Sequence, residues 1–313
     1  MGDERSMKRL LITGASGLLG ANLVLEAMGA YEVIAVSRQH AVQQDGCIPV
    51  LADLAEEGAA RRIVAEYGPE AVVHSAAATD LEACERDPEW AFLQNRDMAR
   101  WVAEACRAHG AKLVHISTDA VFDGENGPYS ELDPPRPISA YGESKLGGER
   151  AVLEAYEGAI VARCNFFGWN AQPKSSLGEW FLERLASGKP TPGFTDVWVS
   201  PLYAGHLARM VLALVERGEG GLIHLPGADC VSKYHFGRRL ARVFGLDPDL
   251  VQPASVEDAG LQARRAKRLC LRGARAETAL GVKLPSLEEG LRAFRRHGED
   301  GYRQRLRALV GRE

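Results

Sequence analysis

The sequence predicts an α/β fold, a doubly wound parallel sheet with a smaller, mainly helical C-terminal lobe. Three observations support this prediction. Apolar runs of strand length alternate with helical patterns through the first half of the chain, a glycine-rich turn follows the first run, and the alternation becomes looser after Gly168. Strands that alternate with helices form parallel sheets covered on both faces, and such buried strands are continuously apolar.

The elements follow one another in a regular order. Strands are predicted at 10–13, 31–38, 47–54, 70–80, 111–124 and 158–168. Helices are predicted after the glycine turn, at 55–68, at 88–110 and in the segment that holds Tyr141 and Lys145. After Gly168 we expect helices near 176–188 and 202–218, short strands near 197–200 and 221–227, and further helices towards the C-terminus.

This order suggests two interleaved units. Residues 1–165, together with about 196–226, are predicted to form the sheet domain. Residues from about 166 to 195 and from 227 to 313 are predicted to form the smaller lobe. The chain is long enough for one large α/β unit or for two closely joined lobes.

The composition is that of an ordinary globular protein. The chain has 313 residues, 46% of them hydrophobic, and a formal net charge of −4, so neither a nucleic-acid nor a membrane partner is indicated. The six cysteines form no CxxC pair. We therefore expect reduced thiols in a cytoplasmic protein, without a disulfide framework or a metal site. The Arg-rich stretch from Gln262 onward is expected on solvated helix faces, or alternatively at an anion or partner site.

The stretch TGASGLLG places three glycines three residues apart, between a strand and a helix. A pyrophosphate can bind the free N–H groups at such a helix start, provided that no Cβ pushes it away. The strand–turn–helix context makes a dinucleotide site the favoured interpretation, and a tight turn without a ligand is the alternative. The predicted cofactor contacts in this turn are Gly14, Ser16, Gly17, Leu18, Leu19 and Gly20.

The end of the second strand distinguishes the two nicotinamide cofactors. An acidic residue there binds the ribose 2′-hydroxyl of NAD, whereas an arginine suits the 2′-phosphate of NADP. Here the strand ends in Ser37 and Arg38, and a hydroxyl and a guanidinium are good phosphate partners. NADP(H) is therefore favoured, and NAD(H) stays the alternative if Arg38 is an ordinary surface residue.

Two further segments are candidate cofactor contacts. Asp53 and Leu54 come at the end of the third strand. The Asp53 carboxylate either accepts a hydrogen bond from the adenine amino group or caps the next helix. Ser75, Ala76 and Ala77 follow the fourth strand. Their small side chains either let the backbone lie along the cofactor or serve tight packing.

Tyr141 and Lys145 are four residues apart in a helical segment, so their side chains share one face. A free phenol has a pKa of about 10, too high for an efficient proton donor at neutral pH. A nearby ammonium lowers that pKa, so Tyr141 is a candidate proton donor and Lys145 the cation that lowers its pKa.

Ser117 and Thr118 end the fifth strand, at the edge where open parallel sheets bind ligands. A hydroxyl there would share the substrate oxygen with Tyr141, or would bond to backbone in a turn.

These motifs stand in the order of a known family. The glycine turn, the strand-end hydroxyl and the Tyr-x-x-x-Lys helix make the chain similar to the extended short-chain dehydrogenases/reductases. More narrowly, it resembles the dTDP-4-dehydrorhamnose reductase group through STDAVFDG, YGESKLGGE, ACERDPEWAFLQN, SPLYAGHLARMV and ALGVKLPSLEEGLR. The resemblance covers nearly the whole chain and implies a Rossmann-type domain with a small substrate lobe.

The resemblance also implies an activity and a set of roles. It implies hydride transfer from NADPH to the keto carbon of a nucleotide-linked sugar, with Tyr141 protonating the carbonyl oxygen. Thr118 matches the catalytic hydroxyl position better than Ser117, Lys145 would hold the nicotinamide ribose, and Asn95 would support the site from behind. The sequence leaves a homodimer open. Substrate contacts are expected at Thr79, Asp119, Asn165 and Phe166.

Several positions depart from the family pattern on the substrate side. Ser75 stands in the place of an asparagine and Ala120 in that of a tyrosine, and RCNF at 163–166 replaces RTSW. The late segment AKRLCLRG also differs from the family's RP-x-x-S-x-LD. The sugar and the nucleotide base therefore stay open.

Three functions are compatible with these residues. The favoured one is an NADPH-dependent reductase of a nucleotide-linked 4-keto-6-deoxy sugar. The second is a sugar-nucleotide epimerase or dehydratase, although Ala120 replaces the acid that such a dehydratase needs and Ser37-Arg38 disfavours the NAD of epimerases. The third is a non-catalytic NADP-binding regulatory subunit similar to that of methionine adenosyltransferase, which can keep the tyrosine and the lysine.

Overall fold

The computed structural model describes residues 7–217 and 219–311. The strands are β1 (Arg9–Thr13), β2 (Glu32–Ser37), β3 (Cys47–Leu51), β4 (Ala71–His74), β5 (Lys112–Thr118), β6 (Ile160–Cys164), β7 (Phe166–Phe167), β8 (Thr191–Phe194), β9 (Trp198–Val199), β10 (Leu202–Tyr203), β11 (Gly221–Leu225), β12 (Val231–Ser232) and β13 (Val251–Ala254). The helices are α1 (Leu18–Ala27), α2 (Ala59–Tyr67), α3 (Leu81–Arg86), α4 (Pro88–Phe92), α5 (Met98–His109), α6 (Ala140–Ala155), α7 (Leu177–Ala186), α8 (Ala204–Arg217), α9 (Lys233–Phe244), α10 (Ala274–Leu280), α11 (Leu287–Glu299) and α12 (Tyr302–Ala308).

The central sheet has seven strands in the order β11-β6-β5-β4-β1-β2-β3, and every neighbouring pair is parallel. The chain winds in one direction from β1 to β3 and in the other from β4 onward. This is the doubly wound, Rossmann-type arrangement that the sequence predicted. Ligands of such sheets bind beyond the carboxyl ends of the strands, where the winding direction changes. Here that point lies between β1 and β4.

Helices cover both faces of the sheet. On one face α1 and α8 pack through buried side chains such as Leu23 and Leu207. On the other face α5 and α6 bury Val102 and Val152, beside α2. Burying one such side chain stabilises the fold by roughly 1.5–3 kcal/mol. These helices are therefore held chiefly by packing rather than by intrinsic helix propensity.

The smaller lobe combines helices with short strand pairs. β7 pairs with β10, β9 with β12 and β8 with β13. The buried rings of Phe181, Phe236 and Phe294 join α7, α9 and α11. α8 packs against the central sheet and β11 is its edge strand, whereas β9 pairs with a strand of the lobe. The division into 1–165 plus 196–226 and 166–195 plus 227–313 stays a prediction.

The helix predicted over 88–110 is divided into α4, a π-helical turn at Leu93–Asp97, and α5. The turn lies where α6 comes closest, because a Cβ on Gly148 would be 2.2 Å from the Asn95 carbonyl oxygen. Such π turns are frequent at functional sites. Periodicity alone could not reveal the turn, since the apolar pattern on both sides of it remains helical.

The expectation of reduced thiols is wrong for one pair, because Cys230 and Cys270 form a disulfide. The two residues are 40 positions apart, but their Cα atoms are 5.5 Å apart, within the usual range for this bond. The first part of the Arg-rich stretch, from Gln262 to Arg272, was expected on solvated helix faces but is irregular, with isolated β-bridges at Arg268 and Leu271. Its Leu269 N–H donates to the Trp198 carbonyl at 2.8 Å. This pairing brings Cys270 beside the start of α9.

A buried ion pair holds α6 to the sheet. The Glu149 carboxylate accepts from Arg163 Nε at 2.8 Å and from Nη2 at 2.6 Å, and the two side chains are 4% and 3% exposed. Ser117 donates its hydroxyl to the same carboxylate. The pair therefore joins α6 to β5 and β6 at the base of the helix that carries Tyr141.

We predict that Glu149→Ala lowers the free energy of unfolding by about 3–5 kcal/mol, because it leaves the Arg163 guanidinium buried without its partner. Glu288→Ala, which removes the exposed partner of Arg292, should lower it by less than about 1 kcal/mol. Urea denaturation of both variants measures the difference. Equal losses in the two variants would contradict a structural role for the buried pair.

Candidate active site

A cleft of about 840 Å³ opens at the carboxyl ends of the sheet strands. The ends of β1, β2, β4, β5 and β6 border it on one side, and the start of α9 with the irregular segment 264–269 borders it on the other. All residues that the sequence singled out line the cleft, except Asn95. They are Gly14, Ser16, Gly17, Leu18, Leu19, Gly20, Ser37, Arg38, Asp53, Leu54, Ser75, Ala76, Ala77, Thr79, Ser117, Thr118, Asp119, Tyr141, Lys145, Asn165 and Phe166.

The glycine turn packs directly on neighbouring backbone. Gly14 has φ +66, and a Cβ there would be 2.8 Å from the Ala76 nitrogen. A Cβ on Gly20 would be 2.1 Å from the Gly14 carbonyl oxygen. The turn can therefore carry no side chain at either position. This close approach sets α1 tightly against the ends of β1 and β4.

The first turn of α1 provides free donors to the cleft. Gly17 is the N-cap residue, and no side chain caps the helix there. Helix N-termini of this kind attract anions through unpaired N–H groups and the helix dipole. The turn thus fits the pyrophosphate of a dinucleotide, because donors are available and no Cβ fills the space in front of Leu18.

The residues at the end of β2 differ in their freedom to bind a ligand. The Ser37 hydroxyl donates to the His40 carbonyl at 2.6 Å, so the loop fixes its direction. Arg38 is exposed and lines the cleft, next to Gln39 and His40. The sequence did not single out Gln39 or His40. The Arg38 guanidinium is the cation of this corner that is available to a phosphate group.

Asp53 does not cap the helix that follows it. Its carboxylate accepts from the Ala55 N–H at 2.9 Å in a local turn, and the N-cap residue of α2 is Gly58. The alternative role considered from the sequence is therefore wrong. The Asp53 side chain lines the cleft next to the buried Leu54.

The backbone after β4 is anchored to β1. The Ser75 hydroxyl donates to the Thr13 carbonyl at 2.6 Å, and the N–H groups of Ser75 and Ala76 donate to the Thr13 hydroxyl at 3.2 Å. Ser75 therefore serves to hold this segment in place. The small side chains of Ala76 and Ala77 leave the wall of the cleft to backbone atoms.

Asn95 lies behind the wall of the cleft, in the π-helical turn. Its Oδ1 accepts from the Ala78 N–H at 2.8 Å, and its Nδ2 donates to the Ala78 carbonyl at 3.1 Å and to the Ser144 hydroxyl at 2.9 Å. Asn95 thus joins the segment after β4 to α6. Its side chain does not line the cleft itself, but it holds Ala78, which does.

Ser117 and Thr118 point in opposite directions, as successive side chains of a strand do. The Ser117 hydroxyl is bound to Glu149, on the α6 side of the sheet. The Thr118 hydroxyl donates to Asp119 Oδ1 at 3.1 Å and accepts from the Ala120 N–H at 3.2 Å. Its proximity lowers the pKa of Tyr141, so Thr118 and Tyr141 are neighbours in the cleft.

The ionisation of Tyr141 differs from what the spacing suggested. Burial raises the pKa of Tyr141. The hydrogen bond with Thr118 acts against this with a smaller effect, and the charge of the nearby Asp119 adds a still smaller increase. Lys145 Nζ donates to the Ile116 carbonyl at 2.8 Å. Burial lowers the pKa of Lys145 to about 8. In the protein without ligands, desolvation therefore outweighs any tuning of the phenol by the ammonium.

Asp119 and Asn165 form a polar pair at the floor of the cleft. Asn165 Nδ2 donates to Asp119 Oδ2 at 2.8 Å. Burial raises the pKa of the Asp119 carboxyl to about 6, although the Asn165 and Thr118 bonds and the Lys233 cation act against it. Phe166 lines the cleft beside this pair, and Thr79 is exposed at its edge.

Several cationic residues of the cleft were not singled out from the sequence. They come from the smaller lobe and its connections, and include Lys174, Lys233, Arg264 and Arg265. For Arg264 and Arg265 the available signal was the Arg-rich composition after Gln262, for which solvated helix faces were the favoured interpretation and an anion or partner site the alternative. Together with Arg38, these side chains make the cleft suitable for anionic ligands.

Within residues 7–217 and 219–311, no group of three or more His, Cys, Asp or Glu side chains could hold a metal ion. No helix in the same ranges is long and apolar enough to cross a membrane.

Residues 7–298 match the model of the RmlD substrate binding domain family. The chain is 33% identical to the probable low-salt glycan biosynthesis reductase Agl14 of Haloferax volcanii, over 90% of this chain and 96% of that protein. It is 34% identical to dTDP-4-dehydrorhamnose reductase of Mycobacterium tuberculosis, over 79% of each. The structure of dTDP-4-dehydrorhamnose reductase from Bacillus anthracis, in complex with NADP, is similar with a TM-score of 0.83 and 27% identity, over 93% of this chain and 99% of that one. These likenesses confirm the expected family, and the chain belongs to the RmlD substrate binding domain family of extended short-chain dehydrogenases/reductases.

Proposed function

We propose that this protein uses NADPH to reduce the keto group of a nucleotide-linked 4-keto-6-deoxy sugar, with Tyr141 as the proton donor. One observation carries the proposal. Tyr141, Thr118 and Lys145 line the same cleft as the uncapped first turn of α1 and the exposed Arg38. The cleft therefore combines the groups that bind a dinucleotide with a hydroxyl pair that can bind a carbonyl oxygen.

The cofactor is NADP(H), and the enzyme is an oxidoreductase of the same kind as its named relatives. The first turn of α1 would hold the pyrophosphate, Arg38 the 2′-phosphate, and the backbone at 75–77 the middle of the cofactor. Bound NADPH supplies a hydride for the carbonyl carbon. Lys145 would hold the nicotinamide ribose from the α6 side.

The remaining chemistry belongs to side chains of the protein. The hydroxyls of Thr118 and Tyr141 both donate to the carbonyl oxygen, which places and polarises the carbonyl. Tyr141 then gives its proton to that oxygen as negative charge develops on it. Lys145, on the same face of α6, stabilises the phenolate that remains. Asn95 keeps α6 and the wall after β4 in register.

The substrate class agrees with the charge of the cleft. A nucleotide-linked sugar carries a diphosphate, and Lys174, Lys233, Arg264 and Arg265 line the side of the cleft away from the glycine turn. A dehydratase activity is disfavoured because Ala120 replaces the acid it needs. The cytoplasmic location and the homodimer stay predictions.

We predict that Tyr141→Phe lowers kcat at least 100-fold, because the proton donor is lost, and changes the Kd of NADPH less than about threefold. NADPH oxidation is measured with dTDP-, UDP- and GDP-linked 4-keto-6-deoxy sugars. Tyr156→Phe, at the other end of the same helix, is the matched control and should keep full activity. If Tyr141→Phe keeps most of its turnover, another group is the acid. A wild-type protein that binds NADPH but reduces none of these sugars would support the regulatory-subunit hypothesis.

We also predict that Arg38→Ala lowers the preference for NADPH over NADH by about 10- to 100-fold, since a charge-assisted hydrogen bond to phosphate contributes about 1.5–3 kcal/mol. The ratio of kcat/KM for the two cofactors measures this preference. Arg61→Ala, an exposed arginine of α2 outside the cleft, should leave the ratio unchanged. An unchanged ratio in Arg38→Ala would instead make Arg38 an ordinary surface residue.

A further inference from the structure

Asp119 is a buried carboxyl group in direct contact with Thr118, and the proposed reaction gives it no role. We propose that Asp119 is a positioning residue whose protonation state decides whether Thr118 donates its hydroxyl hydrogen to the substrate oxygen. The neutral carboxyl releases that hydrogen to the cleft, and the carboxylate retains it. This inference rests on the proposed function for its consequence in catalysis.

The hydrogen bonds determine where a proton on Asp119 must lie. Asn165 Nδ2 is a pure donor, and it points to Asp119 Oδ2 at 2.8 Å. Oδ2 therefore accepts in both protonation states. A proton on the carboxyl group belongs on Oδ1, the oxygen that lies 3.1 Å from the Thr118 hydroxyl.

The Thr118 hydroxyl has one hydrogen to give. Its oxygen already accepts from the Ala120 N–H at 3.2 Å. When Asp119 is ionised, Oδ1 can only accept, so the Thr118 hydrogen is directed to it. When Asp119 is neutral, Oδ1–H donates to Thr118 instead. The Thr118 hydrogen is then free to turn towards the cleft and donate to a carbonyl oxygen.

The charge of Asp119 acts on Tyr141 in the same direction. The negative carboxylate raises the pKa of Tyr141 and so makes the phenol a weaker acid. A neutral Asp119 removes this effect. Protonation of one carboxyl group therefore prepares both donors of the proposed reduction, and ionisation disables both.

Among the titratable groups that face one another here, burial raises the pKa of Asp119 to about 6. Tyr141 faces it from α6, Cys164 from β6 and Lys233 from the start of α9. Burial raises the pKa of both Tyr141 and Cys164, so they stay neutral. Lys233 favours the carboxylate, but burial prevails and raises the pKa of Asp119 to about 6. Lys145, with its pKa lowered to about 8, titrates separately.

Asp119→Asn tests the inference, because an amide can accept from Asn165 and donate permanently to Thr118. In the wild type, kcat/KM for reduction should fall about tenfold per pH unit above pH 6, because the fraction of Asp119 that is neutral falls by that factor. The variant should show no such decline between pH 6 and 7.5, and at pH 7 it should exceed the wild type about tenfold. Asp123→Asn, in the same loop but outside the cleft, should keep the decline. A decline that persists unchanged in Asp119→Asn overturns the inference.

A second measurement does not depend on turnover. In protein labelled with ¹³C at its Asp carboxyl groups, one resonance should titrate near pH 6 and be absent from Asp119→Asn. In Thr118→Val the midpoint should move to higher pH, because valine cannot donate to the carboxylate. A midpoint below about pH 4.5, or one that is the same in Thr118→Val, overturns the exchange of hydrogen bonds. If no keto sugar is reduced, the proposed function fails. The titration still shows whether the hydrogen bond between Thr118 and Asp119 changes direction when Asp119 is protonated.

Discussion

The docking of α6 on the sheet is the constraint on which the site depends. Two glycines let the helix approach backbone directly, since a Cβ on Gly142 or Gly148 would be within 2.3 Å of a carbonyl oxygen of a neighbouring segment. The buried pair of Glu149 and Arg163 fixes the same helix to β5 and β6. The glycine contacts and the buried ion pair together fix α6, and they therefore fix the position of Tyr141 relative to the strand ends. A shift of α6 by one ångström would separate the two hydroxyls that the proposed reaction needs.

Features that depend on short stretches of sequence could be predicted. The alternation of strands and helices gave the doubly wound sheet, and Gly14 with Gly20 indicated the tight turn because backbone contact leaves no alternative there. Thr118 was preferred to Ser117 from the motif alone. The structure supplies a physical reason for that preference, because the Ser117 hydroxyl is engaged by Glu149 and so is not free to bind a substrate oxygen.

Features that depend on distant contacts could not be predicted. Lys233 and Arg265 reach the cleft only because the lobe folds back over the sheet, and no local pattern distinguishes them from surface cations. The segment 262–272 was expected on solvated helix faces, but strand-like hydrogen bonds to residues far away in sequence determine its conformation. The pKa of Tyr141 was expected to fall beside Lys145. Spacing along a helix gives proximity but not solvation, and burial proved the larger effect.

The disulfide between Cys230 and Cys270 has a consequence for the smaller lobe. It closes a chain segment of 40 residues that contains α9 and the cationic wall residues Arg264 and Arg265. A covalent closure of this kind restricts the unfolded chain, so part of the conformational entropy of this segment is removed before it folds. A wall that is already restricted has less entropy to lose when a ligand binds, which favours affinity without any additional contact.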